Sequence, residues 1–570
     1  MPDPTSVKEI DLTPIPGKNY FDNEREWREE FIYFVMVDRF QDEIARPLVT
    51  GASRSAGINT PNTFFGGNLK GVLRSLDYIA GLGCTAIWLS PVFENNKDAY
   101  HGYDINNYLR IDPHFGTKQD LIDLVDAAHH FKKNGEPFPI RIILDVVINH
   151  SGDNWFYQGG FRYFYFNDQI FPFGDFRRAD RPIPTELRNE DWYHRRGEIG
   201  DFDRSPENQH GDIVGLKDYA NDDDAIGSDV INALITVHCY WIREADVDGF
   251  RIDAVKHMGD LATSRFCSNI REYAYSLGKR SFFLFGEVAS PSDDLYNRYI
   301  GQNTSAQDGN KTVFFGLDSV LDFRLAEGVF GDENNAPLRD VLKGFKGPQT
   351  LFNRVDAQRG RALNRGEIGR YLVTFVDNHD SFWQPTGRFA QDATDEQVIG
   401  AAGFLLCSLG TPCIYYGTEQ GFVGQGGDNE MREAMFDKAP GGKTLLNVEC
   451  RIYKEIAKIA QIMRTESPLR FGRIYYRQIS GSGEQFGYPF GSTYTLAFSR
   501  MLYPREILVA YNVSDQTRND RVIVDATLHP EPSQMNFLYG KSGTIPVQTA
   551  QSGARFVKLD LDPHQFVIMA

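Results

Sequence analysis

The stretch Asp248–His257 reads DGFRIDAVKH and places Arg251 and Asp253 two residues apart, with Lys256 and His257 directly behind them. Its first half is apolar, as in a buried strand. A buried strand does not normally carry this many charges, because an unpaired ion taken out of water costs several kcal/mol. We therefore expect these charges to pair with one another or with a bound ligand.

Eight short apolar runs of this kind, rich in β-branched and aromatic residues, recur along the chain, and most precede a helix-like stretch. They span 31–40, 84–92, 140–150, 247–255, 281–288, 312–323, 371–380 and 411–421. Nearly continuous apolar strands separated by helices indicate a parallel sheet covered on both faces, and eight units suggest a closed barrel. In one connecting helix, Thr117 and Asp120 stand in capping-box positions.

Two breaks in this regularity divide the chain. About 100 residues separate the third and fourth runs, too many for a structureless loop. After about residue 465 the helical pattern gives way to alternating strands. The predicted fold is a (β/α)8 TIM barrel at 26–150 and 228–464, with a small domain at 151–227 inserted after strand 3. A C-terminal all-β sandwich domain at 465–570 follows, and residues 1–25 form an N-terminal arm.

Composition excludes several classes of partner. With 60 basic and 77 acidic residues the net charge is −17, so binding to nucleic acid or to an anionic membrane is not expected. The six cysteines are widely spaced in apolar surroundings and are predicted to be free, buried thiols. The N-terminus has no apolar signal segment, which predicts a cytoplasmic protein, or a secreted or periplasmic one if a leader was removed. The oligomeric state is left open.

Ionisable residues gather at the ends of four predicted strands. The motifs are DVVINH (145–150), GFRIDAVKH (249–257), GEV (286–288) and FVDNHD (375–380), with AYHGYD (99–104) upstream. One such end is most often a cap or a loop anchor, but in a barrel four of them converge on one cleft. Two carboxylates in different environments can there act as nucleophile and general acid. The motifs, in this order, resemble those of the α-amylase family, family 13 of the glycoside hydrolases, over residues 25–460.

The resemblance implies three catalytic carboxylates. Asp253 would be the nucleophile, kept ionised by Arg251. Glu287 would be the general acid and base, a role that needs a raised pKa. Asp380 would hold sugar hydroxyls and favour the oxocarbenium-like ring.

The resemblance also implies residues that contact the substrate, a starch- or glycogen-like α-glucan. His150 and His379 would hydrogen-bond the sugar and Tyr103 would stack beneath it. Lys256 and His257 would line acceptor subsites, as in the α-1,4-glucan-acting members. The alternative for this pair is a snorkelling lysine and a histidine that begins a helix. Arg388 resembles the family's arginine beyond the fourth motif.

Calcium is the one cofactor that the resemblance implies. Members commonly hold a structural Ca²⁺ through an asparagine of the first motif and an aspartate of the inserted domain. Asn149 and Asp218, the latter in GLKDY (215–219), stand at these positions. Lys217 beside Asp218 could oppose a cation, and the alternative for Asn149 is a plain hydrogen-bonding role.

Three functions remain open from the sequence: a retaining hydrolase of α-1,4-glucosidic bonds, a glucan-rearranging or cyclising transglycosylase, and a non-catalytic binding relative. The retained carboxylates disfavour the last. Cyclising relatives typically place an aromatic residue four positions before the inserted-domain aspartate, where this chain has Val214. They also usually carry two further β-domains beyond the one predicted here. We therefore expect hydrolysis.

Overall fold

A computed structural model describes the chain at residues 3–167, 169–222, 224–290, 292–301, 305–308, 311–314, 316–329, 331–358, 362–363, 366–367, 371–380 and 387–570. Eight parallel strands form its central sheet. They are β1 (Ile32–Val35), β2 (Ala86–Leu89), β3 (Arg141–Val146), β4 (Gly249–Ile252), β5 (Phe283–Gly286), β6 (Ser319–Val320), β7 (Val373–Thr374) and β8 (Thr411–Tyr415). Their order is β6-β5-β4-β3-β2-β1-β8-β7. A parallel bridge between Leu321 and Val373 joins the two outer strands and closes the barrel.

Helices cover the outside of the barrel. The α-helices are Val37–Phe40, Leu69–Arg74, Leu76–Leu82, Lys118–His129, Glu207–His210, Ala225–Ala245, Asp260–Ser276, Asp293–Tyr299, Phe323–Glu327, Leu338–Leu342, Gln349–Gln358, Asp395–Cys407, Asp428–Met431, Arg451–Thr465 and Ser467–Phe471. The predicted capping box is present: Thr117 and Asp120 exchange side-chain and backbone hydrogen bonds at the start of Lys118–His129. All six cysteines are free and buried, as predicted.

One helix, Ala225–Ala245, is long and apolar enough to span a membrane by length and composition alone, but 67% of its most apolar window is buried inside the protein. It is a core helix. Trp241, fully buried, donates its indole N–H to the carbonyl of Tyr108 at 2.8 Å.

The sixth predicted strand is shorter than the apolar run that predicts it. Residues Lys311–Phe314 pair antiparallel with Ser305–Asp308 in a separate hairpin, and only Ser319–Val320 joins the barrel. A continuous apolar run predicts β structure but does not say which sheet each half enters.

Between β3 and β4 the chain leaves the barrel. His150–Ser151 pairs antiparallel with Lys217–Asp218, so the excursion begins and ends side by side. Within it, Trp155–Tyr157 pairs with Phe173–Phe176. This brings Asp218, distant in sequence, back to the carboxyl end of β3.

The C-terminal strands form two antiparallel sheets. One contains Arg473–Tyr476, Thr495–Leu502, Arg505–Asn512, Gln534–Tyr539, Thr544–Pro546 and Phe566–Met569; the other contains Ile479–Ser480, Arg518–Ile523, Gln548–Thr549 and Arg555–Leu561. Leu508, Met535, Val557 and Leu559, drawn from both sheets, share one apolar cluster. The two layers therefore pack face to face, as predicted for a sandwich.

Candidate active site

The carboxyl ends of β3, β4 and β5 meet at Arg251. In the sheet register Arg251 lies directly beside Asp145 of β3. Its guanidinium contacts Asp145 at 2.9 Å, Asp253 at 2.6 Å and Glu287 at 3.0 Å. Arg251 is fully buried. Arg251 and Asp253 of the opening stretch are therefore tolerated in the interior because they pair with each other and with carboxylates of the neighbouring strands, while Asp248 pairs with His129 and Lys279.

The backbone beyond β4 helps to place Glu287. Ala254 adopts a left-handed conformation, with φ 51°, which ends the strand directly after Asp253. Its N–H then donates to Glu287 Oε2 at 3.0 Å. Glu287 in turn donates its own backbone N–H to Ile252 at 2.8 Å. These contacts hold the two carboxyl groups on adjacent strands at one height.

The pKa values of Asp253 and Glu287 move in opposite directions. Burial, together with the charges of Glu287 and Asp145, raises the pKa of Asp253 in spite of Arg251. Burial also opposes ionisation of Glu287, but Arg251 and the Ala254 N–H outweigh it and lower the pKa. The general-acid role predicted for Glu287 needs a raised pKa, whereas in the structure the raised pKa belongs to Asp253. Both carboxyls share one guanidinium and bond to each other, so we regard them as a pair holding one proton.

Tyr103, His379 and Asp380 form the other side of the cleft. The Tyr103 hydroxyl lies 2.9 Å from both Asp145 Oδ2 and His379 Nε2. His379 Nε2 is also 3.2 Å from Asp380. Burial and the nearby Arg432 and Arg251 guanidiniums lower the pKa of His379 well below its usual value, so it is neutral. Tyr103, His379 and Asp380 are thus joined to the Arg251 cluster through Asp145.

Three neighbours of this cluster were not predicted as site residues. Asp145 bonds Arg251 and Tyr103, and Arg432 binds Asp380 at 2.7 Å and the His379 carbonyl at 3.0 Å. Glu327, at the end of a short helix after β6, has a buried Oε2 with no hydrogen-bond partner in the part of the chain that the structure describes. Burial, with the charges of Asp380 and Glu287, raises its pKa to about 8. Only Asp145 lies inside a recognised motif. Nothing in the local sequence marks the other two.

His150, Lys256 and His257 lie towards the inserted segment. Burial lowers the pKa of His150 to about 3 and that of His257 to about 4, so both are neutral. The Lys256 ammonium binds Asp203 at 3.0 Å and the Ala289 carbonyl at 2.8 Å. Lys256 therefore bridges the inserted segment and the β5 loop.

The structure does not bring Arg388 to the cleft, which corrects the role expected of it. The side chain is 1% exposed. Its guanidinium donates to the carbonyls of Tyr416 and Met431 and pairs with Glu433 at 3.1 Å. Because these partners engage each of its nitrogens, none is directed at a sugar. Arg432 makes the contact to Asp380.

The Asn149–Asp218 pair has features of an oxygen-ligand cation site. The Asn149 side-chain oxygen is buried and accepts no hydrogen bond from any residue in the described ranges. The Asn149 amide nitrogen is 3.2 Å from Asp218 Oδ1. The ammonium of Lys217 points instead to Asp153 and Asp212, at 3.3 and 3.4 Å. A hard cation would satisfy the unpaired oxygen, so the residues fit Ca²⁺, with Asp218 Oδ2 already held by His194 at 2.5 Å.

Comparison with known families shows which family the chain resembles. The model of the α-amylase catalytic domain matches residues 34–455. The chain belongs to the α-amylase family. It is 28% identical to the α-amylase of Streptomyces lividans over 514 residues, which cover 78% of this chain and 52% of that protein. This chain therefore spans about half the length of that relative.

Two solved α-amylase-family structures share the fold over nearly the whole chain. The α-amylase from Geobacillus thermoleovorans, complexed with acarbose, has a TM-score of 0.69 and 25% identity, covering 96% of this chain and 99% of that one. The cyclomaltodextrin glucanotransferase CldA, described as having a three-domain ABC distribution, has a TM-score of 0.67 and 25% identity, covering 95% and 98%. Similar chains thus include both amylases and cyclising enzymes.

Proposed function

We propose that this chain is a retaining glycoside hydrolase that cleaves α-1,4-glucosidic bonds of starch- or glycogen-like glucans. The observation that carries the proposal is the contact of one buried guanidinium, Arg251, with both Asp253 and Glu287. A nucleophile and an acid held side by side are what a double displacement requires. The acarbose complex of the Geobacillus relative supports an oligosaccharide ligand.

In the first step an Asp253 oxygen attacks the anomeric carbon while Glu287 gives its proton to the departing glycosidic oxygen. A glycosyl ester forms and the shortened glucan leaves as an alcohol. In the second step Glu287 takes a proton from water, which attacks the same carbon and releases Asp253. Arg251 stays bound to both carboxylates, and the pair's single proton must lie on Glu287 when the substrate is bound.

Asp380 and its neighbours stabilise the distorted sugar. The carboxylate of Asp380 is oriented by Arg432 on one oxygen and by His379 on the other. Both of its oxygens are thereby fixed, which suits two adjacent sugar hydroxyls. Neutral His150 can donate a hydrogen bond to the ring, because its buried Nε2 has no partner among the described residues. Both ring nitrogens of His379 are already engaged, by Asn378 and by Tyr103 with Asp380, so His379 acts by orienting Asp380.

Hydrolysis is favoured over transglycosylation by Val214. This residue lies in a turn with φ 49° and is 79% exposed, and its small side chain offers no aromatic surface for a glucan to curl around. Domain count no longer contributes to the choice, because CldA is a cyclising enzyme described with three domains. A glucan-rearranging enzyme is the second candidate function. It is favoured by the structural similarity to CldA, which is a cyclising enzyme.

A product time course tests this proposal. Soluble starch, maltoheptaose and pullulan are incubated with the protein and the products are separated from the first minute onwards. Linear maltooligosaccharides should dominate at every time with starch and maltoheptaose. Early cyclodextrins, or longer linear chains than the substrate, would contradict hydrolysis in favour of transfer.

A further inference from the structure

A cluster of two histidines and a carboxylate lies outside the catalytic cleft. His194 lies within the inserted segment, after the short 3-10 helix Glu190–Trp192. His210 ends the helix Glu207–His210, and Asp222 lies in the loop before Ala225–Ala245. One ligand atom from each residue lies within 4.8 Å of the other two. We propose that these three side chains bind a first-row divalent transition metal of the Zn²⁺ type.

The distances within the cluster suit such an ion. Asp222 Oδ2 is 3.2 Å from His194 Nε2, and Asp222 Oδ1 is 3.3 Å from His210 Nε2. Two ligands bound to one tetrahedral metal at about 2.0–2.1 Å are about 3.3 Å apart. The two carboxylate–imidazole distances therefore already match the ligand spacing. The ligand nitrogens of His194 and His210 lie within 4.8 Å of each other and would have to come closer to reach the same spacing.

The orientation of His194 is a second, independent sign of a metal ligand. Its Nδ1 is 2.5 Å from Asp218 Oδ2, which leaves Nε2 directed at Asp222. Metal-binding histidines usually donate their other ring N–H to a carboxylate, which fixes the ring and raises its basicity. Asp218 would thus orient His194 through one oxygen, while its other oxygen faces Asn149.

The charges of the cluster favour a cation. Two carboxylates lie beside the two imidazoles: Asp218 contacts His194, and Asp222 contacts both His194 and His210. A divalent ion at the imidazole nitrogens would therefore lie next to negative charge, and it would take the place of any proton on His194 Nε2.

The bound ion would cross-link parts of the chain that contact the barrel residues after β4. The helix that ends at His210 also accepts a hydrogen bond from His257, through the Asn208 carbonyl at 2.5 Å. Asn221, next to Asp222, accepts from the Gly259 N–H at 3.1 Å. Metal binding would therefore rigidify the segments that support His257 after β4, and we expect the folded state to be stabilised.

The test is direct measurement of metal binding by the full chain. The metal-free protein is titrated with Co²⁺, followed by visible absorption, and with Zn²⁺, followed by calorimetry and thermal melting. We expect one ion per chain, Co²⁺ bands typical of mixed nitrogen and oxygen ligands, and a higher Tm. His210→Gln and Asp222→Asn should each weaken the site at least about 100-fold, since even outer-shell changes cost 10–100-fold. Exposed His130, changed to Gln as the matched control, should leave binding unaltered.

Two results would overturn the proposal. One is the absence of Zn²⁺ or Co²⁺ uptake and of any Tm shift in the wild type, which would make the cluster a plain ion-pair network. The other is uptake that both variants retain, which would place the ion elsewhere. Because the readouts are binding and stability, neither result depends on the hydrolase activity proposed above.

Discussion

At the scale of single residues, Asp253 is the group that would form the covalent bond to the sugar. Asp253→Asn removes the nucleophile but keeps the shape of the side chain beside Arg251. We expect kcat on maltoheptaose to fall by several orders of magnitude, because the covalent step itself is lost. Circular dichroism and Tm should show an intact fold. Exposed Asp126→Asn is the matched control, and substantial residual turnover in the Asp253 variant would remove Asp253 from its assigned role.

Glu327 predicts an effect on the pH profile. Its raised pKa, about 8, keeps it neutral at pH 7, and ionisation above that value adds a negative charge near Asp380 and Glu287. The folded state binds this proton more tightly than the unfolded chain, so this contribution to stability is greatest below about pH 4.5 and declines as pH rises through 8. Glu327→Gln, which keeps the side chain neutral, should raise activity on the alkaline limb relative to pH 7. A pH–rate profile with an unchanged alkaline limb would show that Glu327 has no such influence.

The structure brings together the predicted site residues that lie inside strand-end motifs. Arg251, Asp253 and Glu287 are close in space because neighbouring parallel strands end together, which the sequence pattern implies. Arg432 and Glu327 reach Asp380 and its surroundings from outside the motifs, by tertiary packing that no local pattern records. The sequence places Arg388 in the cleft, but the structure buries it against Tyr416 and Met431. No local pattern records this tertiary packing.

At the scale of elements, we propose that the junction of β3 with the inserted segment holds a structural Ca²⁺. If Asn149 and Asp218 hold Ca²⁺, a calcium-selective chelator should lower the Tm of the calcium-loaded protein, and added Ca²⁺ should restore it. Asn149→Ala should abolish both responses, because it removes the unpaired buried oxygen. An unchanged Tm after chelation of a sample shown to contain calcium would dispose of this site.

Helices and strands are predictable from the sequence where particular residues mark their ends. Thr117 and Asp120 mark the start of their helix because their side chains satisfy backbone N–H groups there. The sequence predicts one strand over the run 312–323, yet only Ser319–Val320 enters the barrel. Apolar character indicates burial, but the partner of each segment is decided by the chain's path in three dimensions.

At the scale of the whole molecule, the proposed function depends on a few ionisable groups that the barrel positions. The closed sheet holds Asp145, Arg251 and Glu287 at fixed heights, and the excursion between β3 and β4 returns Asp218 to the same end. Sequence periodicity was enough to predict the barrel and the sandwich. Whether water or a sugar hydroxyl is the preferred acceptor is not predictable from the sequence, because it depends on how readily water reaches the glycosyl intermediate in the cleft.

The central claim is that Asp253 and Glu287 act by double displacement with retention. It is tested most directly by proton NMR of the anomeric region during the first minutes of maltoheptaose hydrolysis. Two inversions at the same carbon predict that newly formed reducing ends appear first as the α-anomer and only later equilibrate to the β-anomer. Initial release of the β-anomer would contradict the account.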